Sequence, residues 1–177
     1  ALLPQLDDLF PRRSSAAQFA EAFGAHAAKA AMERAGVKPE MVDETFVGNA
    51  AQSSSDAIYG ARHVALKAGV PLDKPALTVN RLCGSGIQSV VSAAHSILLG
   101  ESKLCLAGGM ENMSQVPHVI RGAREGFRFG MEPKIEDLLF AALYDPFCKF
   151  FMAQTAENVA KKNEISREEQ DEYALRS

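Results

Sequence analysis

The stretch TVNRLCGSG, residues 78–86, places a cysteine between a β-rich run and a glycine-rich turn. A helix N-terminus presents unpaired N–H groups and the positive end of the helix dipole, which favour the thiolate of a nearby cysteine. Gly84 and Gly86 carry no Cβ, so a bulky substrate can approach the Cys83 sulfur. The Cys83 N–H is also placed to donate to an oxyanion formed by thiolate attack on a carbonyl. These residues predict that Cys83 is a nucleophile.

A plainer interpretation of Cys83 stays open, in which it is a small buried side chain beside a flexible turn. Free cysteines are among the most buried residue types. Cys105, inside the apolar run KLCLAGG, fits that structural role well. The sequence CGSG is a poor core sequence and a good active-site turn, so the residues alone leave both interpretations of Cys83 open.

The partners of such a nucleophile are harder to find in the sequence. Ser85 is a rival nucleophile, but the serine elbow G-x-S-x-G needs a glycine where Cys83 stands, so Ser85 is predicted to serve the turn. A cysteine nucleophile ordinarily needs a histidine base. Three histidines fall within predicted helices and one follows a proline in a predicted loop: His26, His63, His95 and His118. The base is therefore predicted to lie elsewhere.

Composition excludes several classes of function. The 177 residues are 47% hydrophobic and 23% charged with a net charge of -3, which is typical of a soluble globular domain with one core and an appendage. No basic face is available for a nucleic-acid partner, and no run of about 18 apolar residues predicts a membrane span. The three cysteines form no C-x-x-C pair, so we expect no disulfide framework and no metal site, and a reducing compartment.

The elements that must position Cys83 follow from periodicity and punctuation. An alanine-rich helix is predicted from an N-cap at Ser14 or Ser15 to Gly36, and a strand, ETFVG, ends at Gly48. A second helix is predicted from a cap at Ser55 or Asp56 to about Lys67. The runs PALTVNRL, GSGIQSVVSAAHSILLGE and KLCLAGG then predict strand, helix and strand, a βαβ unit with parallel strands.

The helix of that unit, residues 84–99, carries apolar residues on nearly every face. Such a helix belongs in the interior, and its small residues Ser89, Ser92 and Ala93 would let neighbouring sheets approach closely. We therefore expect it to lie between two layers with its N-terminus aimed at a site. Beyond Ser114 the sequence becomes richer in Gly, Pro, Arg and Phe, and predicts an extended loop region with helices near 135–143 and 152–163. The final run, ISREEQDEYALRS, predicts a helix with a capping box that stops in mid-pattern. We therefore expect residues to be missing at both ends.

Longer motifs resemble one family. VNRLCGSGIQSV followed by LAGGMENMSQVP resembles the thiolase signature around the acyl-enzyme cysteine. GNAAQSSSDAIYGARHVALKAGVP and MAQTAENVAKKNEISREEQDEYALRS resemble further segments of 3-ketoacyl-CoA thiolases. The resemblance covers roughly residues 16–177 and identifies the chain as the N-terminal half of a thiolase, of the 3-ketoacyl-CoA thiolase or acetyl-CoA acetyltransferase type.

The resemblance implies an α/β fold: the first half of a five-layer α-β-α-β-α architecture in residues 1–118, and the start of an inserted loop domain in residues 119–177. It implies that Cys83 holds the acyl group as a thioester, and that Gly84, Gly86 and Met152 contact substrate. Acyl-CoA and CoA are then substrates, with no further cofactor. It also implies a homodimer or homotetramer, in a bacterial cytoplasm or alternatively in the mitochondrial matrix.

Some features depart from the family pattern. The Arg-Thr-Pro-Phe-Gly type motif that ends the family's first strand has no counterpart in ALLPQLDDLFPRRSS. The second half, which supplies the family's activating histidine and second cysteine, is absent, so the chain alone is expected to be nearly inactive. Phe151 stands where many thiolases carry a histidine, which favours the longer-chain 3-ketoacyl type. Two alternatives stay open: a truncated thiolase-like binding or assembly module without catalysis, and a related condensing enzyme such as a ketoacyl synthase.

Overall fold

The computed structural model describes residues 19–177, with side chains from residue 22 onward. The chain divides into two compact units, and the boundary between them along the sequence falls between Val116 and Pro117. The predicted caps at Ser14 and Ser15 lie outside the described residues.

The first unit is an α/β structure, as predicted. Its elements in chain order are α1 (Phe19–Arg34), β1 (Glu44–Gly48), α2 (Gly60–Ala68), β2 (Ala76–Val79), α3 (Ser85–Leu98) and β3 (Cys105–Gly109). Short 3-10 turns precede β1 at Pro39–Met41 and α2 at Ala57–Tyr59, and a third follows β3 at Met113–Gln115.

The three strands form a parallel sheet in the order β2-β1-β3. In the register, Phe46 lies opposite Leu77 on one side and Ala107 on the other. The predicted βαβ unit is present, but β1 lies between its two strands. The β1-to-β2 and β2-to-β3 connections therefore run in opposite directions, and right-handed crossovers then place α2 and α3 on opposite faces.

The core lies on the face covered by α1 and α2. Met32 from α1, Val47 from β1 and Val64 from α2 are buried together there, with Val42 fully enclosed. Gly36 ends the first helix as predicted: its φ is 64°, and the Val37 N–H donates to the Met32 carbonyl at 2.9 Å, as in a Schellman motif.

The opposite face of the sheet holds α3 through small side chains. The buried residues of α3 are spaced so that they share one stripe: Ser85, Ser89, Ala93 and Ser96. The large apolar side chains point elsewhere, and Ile87 and Leu98 are 76% and 82% exposed. The expectation of a helix buried between two layers is thus met on the sheet face only, because the described residues place one sheet against it.

The predicted cap of α2 is wrong in detail. Asp56 precedes the 3-10 turn Ala57–Tyr59 but makes no side-chain capping bond, and α2 itself begins at Gly60. The Asp56 carboxylate instead contacts Nδ1 of His63 at 3.0 Å. The helix ends at Ala68, one residue beyond the prediction, where Gly69 takes a φ of 98°.

The second unit contains two small antiparallel pairs and three helices. Its elements are β4 (His118–Ile120), β5 (Ile135–Asp137), α4 (Leu138–Leu143), β6 (Tyr144–Asp145), β7 (Phe150–Phe151), α5 (Met152–Lys162) and α6 (Arg167–Arg176). Strand β4 pairs with β5, and β6 pairs with β7.

Two predictions in the second unit are corrected. Residues 135–137 are a strand and not the start of a helix, because α4 begins only where the Asp137 carboxylate accepts from the N–H groups of Leu139 and Phe140. His118 lies in β4 and not in a loop. The predicted capping box is confirmed: the Glu169 N–H donates to the Ser166 hydroxyl at 3.2 Å, and the Ser166 N–H donates to the Glu169 carboxylate at 2.7 Å.

Candidate active site

The candidate site lies at the carboxyl edge of the parallel sheet. Strands β1, β2 and β3 end at Gly48, Val79 and Gly109, so the segments that follow them emerge at the same edge. Ligand sites of open α/β sheets form at this edge. We call residues 80–85, which connect β2 to α3, the Cys83 turn.

Cys83 lies where a strand passes into a helix, as the sequence predicts. Gly84 is the N-cap of α3, and Ser85 is its first residue. The Cys83 side chain is exposed, so it does not fill the core of the unit. The thiol is thus accessible beside a helix N-terminus.

Leu82, the residue before Cys83, has an unusual backbone. Its φ is 49°, in the left-handed region that side chains with a Cβ rarely adopt, at a cost of about 1–2 kcal/mol. The Leu82 side chain is 67% exposed, so burial within the described unit does not offset that cost. Such outliers persist only where surrounding bonds enforce them, and they concentrate at functional sites.

Ser85 supplies one set of those bonds. Its hydroxyl donates to the Leu82 carbonyl at 2.6 Å and accepts from the Arg81 N–H at 2.9 Å, while its own N–H also reaches the Leu82 carbonyl at 3.0 Å. The side chain is buried and fully engaged in the turn. The prediction that Ser85 serves the turn is confirmed.

Asn80 supplies a bond from the other side of the strained residue. Its Oδ1 accepts from the Leu82 N–H at 2.9 Å, and its Nδ2 donates to the Ala50 carbonyl at 3.1 Å. The Ala50 and Ala51 N–H groups in turn donate to the two carboxylate oxygens of Glu111, at 2.9 and 3.0 Å. A continuous set of hydrogen bonds therefore joins the segments that follow all three strands.

Sequence reasoning missed Asn80, Leu82 and Glu111. Asn80 has a local signal, because asparagine commonly accepts from the N–H two residues on in an Asx-turn. Leu82 has none, since nothing in its residue type indicates a positive φ. Glu111 contacts Ala50 and Ala51, which precede it by 61 and 60 positions, and the sequence does not reveal a contact at such a separation.

The two glycines beside Cys83 differ in their surroundings. A methyl group added to Gly84 would lie 3.3 Å from the Arg81 carbonyl oxygen, a tight contact within the turn. One added to Gly86 would meet no atom of the described residues within 4 Å. Gly84 is therefore constrained by the turn itself, whereas the backbone at Gly86 is open to a ligand.

The histidines and the acidic side chains are the other candidate partners of Cys83, or candidate metal ligands, within the described residues. His26, His63 and His95 lie in α1, α2 and α3 as predicted, and His63 is paired with Asp56 and stacked on the ring of Tyr59. Over residues 19–177, no three His, Cys, Asp or Glu side chains are arranged to hold a metal ion.

The other two cysteines differ from Cys83. Burial raises the pKa of the Cys105 thiol, and the nearby carboxylates of Glu44 and Asp43 raise it further. Cys148 is exposed, in the second unit. Met152, the predicted substrate contact, is the first residue of α5 and is half exposed.

The sequence predicts no membrane-spanning segment. In the part of the chain that the structure describes, no helix is both long and apolar enough to cross a membrane.

Comparison with known proteins gives a consistent result. Residues 12–177 match the model of the family described as thiolase, N-terminal domain. The chain is 52% identical over 151 residues to human mitochondrial 3-ketoacyl-CoA thiolase, covering 85% of this chain and 38% of that protein. It is 46% identical over 154 residues to an acetyl-CoA acetyltransferase of Cupriavidus necator, covering 87% of this chain and 39% of that protein.

Solved structures agree with the sequence matches. The crystal structure of human mitochondrial 3-ketoacyl-CoA thiolase in complex with CoA superposes with a TM-score of 0.84 at 50% identity, covering 89% of this chain and 40% of that one. The Bacillus anthracis acetyl-CoA acetyltransferase superposes with a TM-score of 0.79 at 39% identity, over 92% of this chain and 40% of that one. The chain thus spans about two fifths of the length of these relatives. The predicted fold and resemblance are confirmed, and the chain belongs to the thiolase family, whose N-terminal domain it matches.

Proposed function

We propose that this chain contributes the acyl-carrying cysteine of a thiolase-type acyltransferase, and that this cysteine is Cys83. The observation that carries the proposal is an exposed thiol on a hydrogen-bonded turn at the N-terminus of α3, at the carboxyl edge of the sheet. Membership of the thiolase family supports it, because the matched relatives bear the names 3-ketoacyl-CoA thiolase and acetyl-CoA acetyltransferase.

The proposed reaction has two steps that share one thioester. The Cys83 thiolate attacks the 3-keto carbon of a 3-ketoacyl-CoA, and the bond between C2 and C3 breaks. The electron pair leaves with C2, which takes up a proton and departs as acetyl-CoA. The thiol of a second CoA then loses its proton to the base and its sulfur attacks the acyl-Cys83 thioester, so that the acyl group leaves on CoA and the Cys83 thiolate is restored.

The turn provides more than the sulfur. The Cys83 N–H is the proposed donor to the oxyanion that forms during attack on the carbonyl, because a backbone donor held in place costs no reorganisation at the moment of reaction. Gly86 is the proposed contact for the acyl chain, since a Cβ there would stand in open space. Gly84 is the second proposed substrate contact.

CoA is the proposed second substrate. One matched structure is a human thiolase solved in complex with CoA, which supports CoA binding by this chain's relatives. Met152 at the start of α5 is the proposed contact from the second unit; the residue is half exposed, and its flexible thioether side chain suits an apolar ligand. The proposed boundary between the core and the inserted loop domain follows residue 118.

The base that removes the Cys83 proton is proposed to lie outside these 177 residues. His26, His63 and His95 are helical, and His63 already pairs with Asp56. The matched relatives are more than twice as long as this chain, so they have ample sequence to supply a base. Their names include mitochondrial and bacterial proteins, and both locations stay predictions, as does a homodimer or homotetramer.

The test is acyl loading of the isolated chain. The chain is incubated with acetyl-CoA or acetoacetyl-CoA, and the acetylated peptide is identified by mass spectrometry. Because the proposed base lies outside this chain, we expect slow acetylation, with the acetyl group on Cys83, none in a Cys83→Ala variant, and an unaltered level in Cys148→Ala, which removes the other exposed thiol. Loading on Cys148 in place of Cys83 would refute the proposed nucleophile. Sustained thiolysis by this chain alone would refute the external base.

A second candidate function is an assembly module without catalysis. The observation that favours it is the exposed apolar side of α3, which includes Ile87, Val90 and Leu98. An apolar surface of this kind needs a covering layer. A chain that associates in solution but never acquires an acetyl group at Cys83 would favour this second function over the first.

A further inference from the structure

Leu82 stands in a left-handed conformation with an exposed side chain, directly before the reactive thiol. Two neighbouring groups contact its backbone. Ser85 engages the Leu82 carbonyl, and Asn80 engages the Leu82 N–H. Because the Leu82 peptide links directly to Cys83, a change in the φ of Leu82 changes the position of the thiol relative to the start of α3.

The hydrogen bonds that Ser85 and Asn80 make to the Leu82 backbone come from different parts of the fold. Ser85 belongs to α3, so its bonds move with the helix. Asn80 is held from outside the turn, because its Nδ2 donates to the Ala50 carbonyl at 3.1 Å. The Asn80 side chain is therefore the link between the strained residue and the segment after β1.

The segment after β1 is itself clamped. The Glu111 carboxylate accepts from three donors: the Ala50 N–H, the Ala51 N–H and Nδ2 of Asn49, at 2.9, 3.0 and 3.0 Å. Asn49 is 3% exposed, and its Nδ2 also donates to the Met110 carbonyl at 3.0 Å. The Ala50 carbonyl that Asn80 uses is thereby fixed relative to β3.

We propose that Asn80 is a positioning residue for the acyl-carrying cysteine, and that Glu111 acts through it by fixing the Ala50 carbonyl. Asn80 keeps Leu82 in its left-handed conformation, and this holds the Cys83 thiol at the N-terminus of α3. The inference rests on the proposed function of Cys83. Neither Asn80 nor Glu111 needs to touch substrate.

The three cysteines provide a test within one chain. The rate of alkylation by iodoacetamide is measured at each cysteine by peptide mass spectrometry, over a range of pH. Cys83 reports the turn, exposed Cys148 in the second unit is the reference, and partly buried Cys105 reports opening of the fold. In the unaltered chain Cys83 should react faster than Cys148.

Asn80→Ala should slow alkylation of Cys83 relative to Cys148 by roughly tenfold, without raising the rate at Cys105. Asn163→Ala is the matched control, because it also removes an asparagine side chain that donates to a backbone carbonyl, that of Val159 at 2.8 Å. It should leave the ratio of the Cys83 and Cys148 rates unchanged. If Asn80→Ala does not fold, Asn80→Asp keeps the acceptor for the Leu82 N–H but loses the donor to the Ala50 carbonyl, so it should slow Cys83 measurably but by less than about tenfold.

A second substitution separates positioning from general stabilisation. Glycine adopts a positive φ without a steric penalty, so Leu82→Gly removes the strain that Asn80 has to hold. In the Leu82→Gly background, Asn80→Ala should slow Cys83 by less than threefold. Glu111→Gln replaces one accepting oxygen by an NH₂ group facing an N–H donor, and should slow Cys83 in the unaltered background and by much less in Leu82→Gly.

The outcomes separate the two proposals. An unaltered Cys83 rate in Asn80→Ala would overturn the positioning role, as would an equal loss with and without Leu82→Gly. A rise at Cys105 that accompanies the loss at Cys83 would show that Asn80 only stabilises the fold, and would also overturn it. A Cys83 that reacts no faster than Cys148 in the unaltered chain would instead count against the proposed nucleophile, while the Asn80 comparison still tests positioning.

Discussion

Gly48 at the end of β1 lies directly against the backbone of Ser85 at the start of α3. A methyl group added to Gly48 would stand 2.4 Å from the Ser85 carbonyl carbon and 2.7 Å from the Gly86 nitrogen. Real Cβ atoms do not approach other atoms so closely. The absence of a side chain at Gly48 therefore lets the helix that follows Cys83 approach the sheet.

Gly48→Ala should separate β1 from the start of α3. The clash is with backbone atoms, which cannot rotate away, so we expect the free energy of unfolding to fall by about 1–3 kcal/mol. The displaced helix should also slow alkylation of Cys83. Urea unfolding followed by circular dichroism measures the first effect, and iodoacetamide labelling measures the second.

Gly86→Ala is the matched control for that stability measurement. Gly86 lies inside α3, and an added methyl group meets nothing within 4 Å among the described residues. Alanine is a better helix former than glycine by about 1 kcal/mol, so this variant should be as stable as the unaltered chain or more so. Equal destabilisation by the two substitutions would contradict the close contact between Gly48 and Ser85.

Gly86→Ala should also affect the reaction of Cys83 with a large reagent more than its reaction with a small one. If the acyl chain uses the open space beside Gly86, the added methyl group should slow transfer from acyl-CoA several-fold and leave alkylation by the smaller iodoacetamide nearly unchanged. Gly108→Ala is the control, since a methyl group there also meets nothing within 4 Å. Acyl transfer that proceeds at the same rate in Gly86→Ala and Gly108→Ala would exclude Gly86 from substrate binding.

The sequence predicts the elements of the first unit well because their signals are local. The capping glycines Gly36 and Gly69 lie where the helical patterns stop, and the strand ending at Gly48 follows from a short β-rich run. The order of the strands is not local. That β1 lies between β2 and β3 depends on the direction of two crossovers, which the patterns of the individual segments do not encode.

The candidate site likewise contains some residues that the sequence predicts and others that only the fold reveals. Cys83, Gly84 and Gly86 are conspicuous in the sequence because their types are unusual beside a strand. Asn80 and Glu111 act by contacts that only the fold creates, such as the Glu111 clamp on the segment after β1. The small residues of α3 predicted its contact with a sheet, and Ser89 and Ala93 are buried there, whereas its apolar pattern could not show that the large side chains would stay exposed in the described unit.

Asp43 should make stability depend on pH in acid. Hydrogen bonds from the Lys103 N–H, the Lys74 ammonium and the Leu104 N–H hold the pKa of this carboxyl below its usual 3.8. A lowered folded pKa stabilises the folded state above 3.8, and this contribution is lost as the pH falls through the folded value.

Asp43→Asn should therefore lower the urea midpoint at neutral pH and reduce its further fall in acid. Asp73→Asn, at an exposed carboxylate in the loop before β2, is the control and should change neither. Midpoints measured between pH 7 and about pH 2 make the comparison. Parallel acid profiles for the unaltered chain and Asp43→Asn would contradict the role of the three donors.

Cys105 should make stability depend on pH in base. Burial is the first cause that raises its pKa above the usual 9.0, and the Glu44 and Asp43 carboxylates add to it. A thiol whose folded pKa is raised stabilises the fold at neutral pH, and this contribution disappears as the pH rises from 9.0 through the folded value. The unfolding free energy of the unaltered chain should thus fall more steeply above pH 9 than that of Cys105→Ala. Cys148→Ala, which removes an exposed thiol, should follow the unaltered chain, and a steeper fall in Cys105→Ala would reverse the assigned sign.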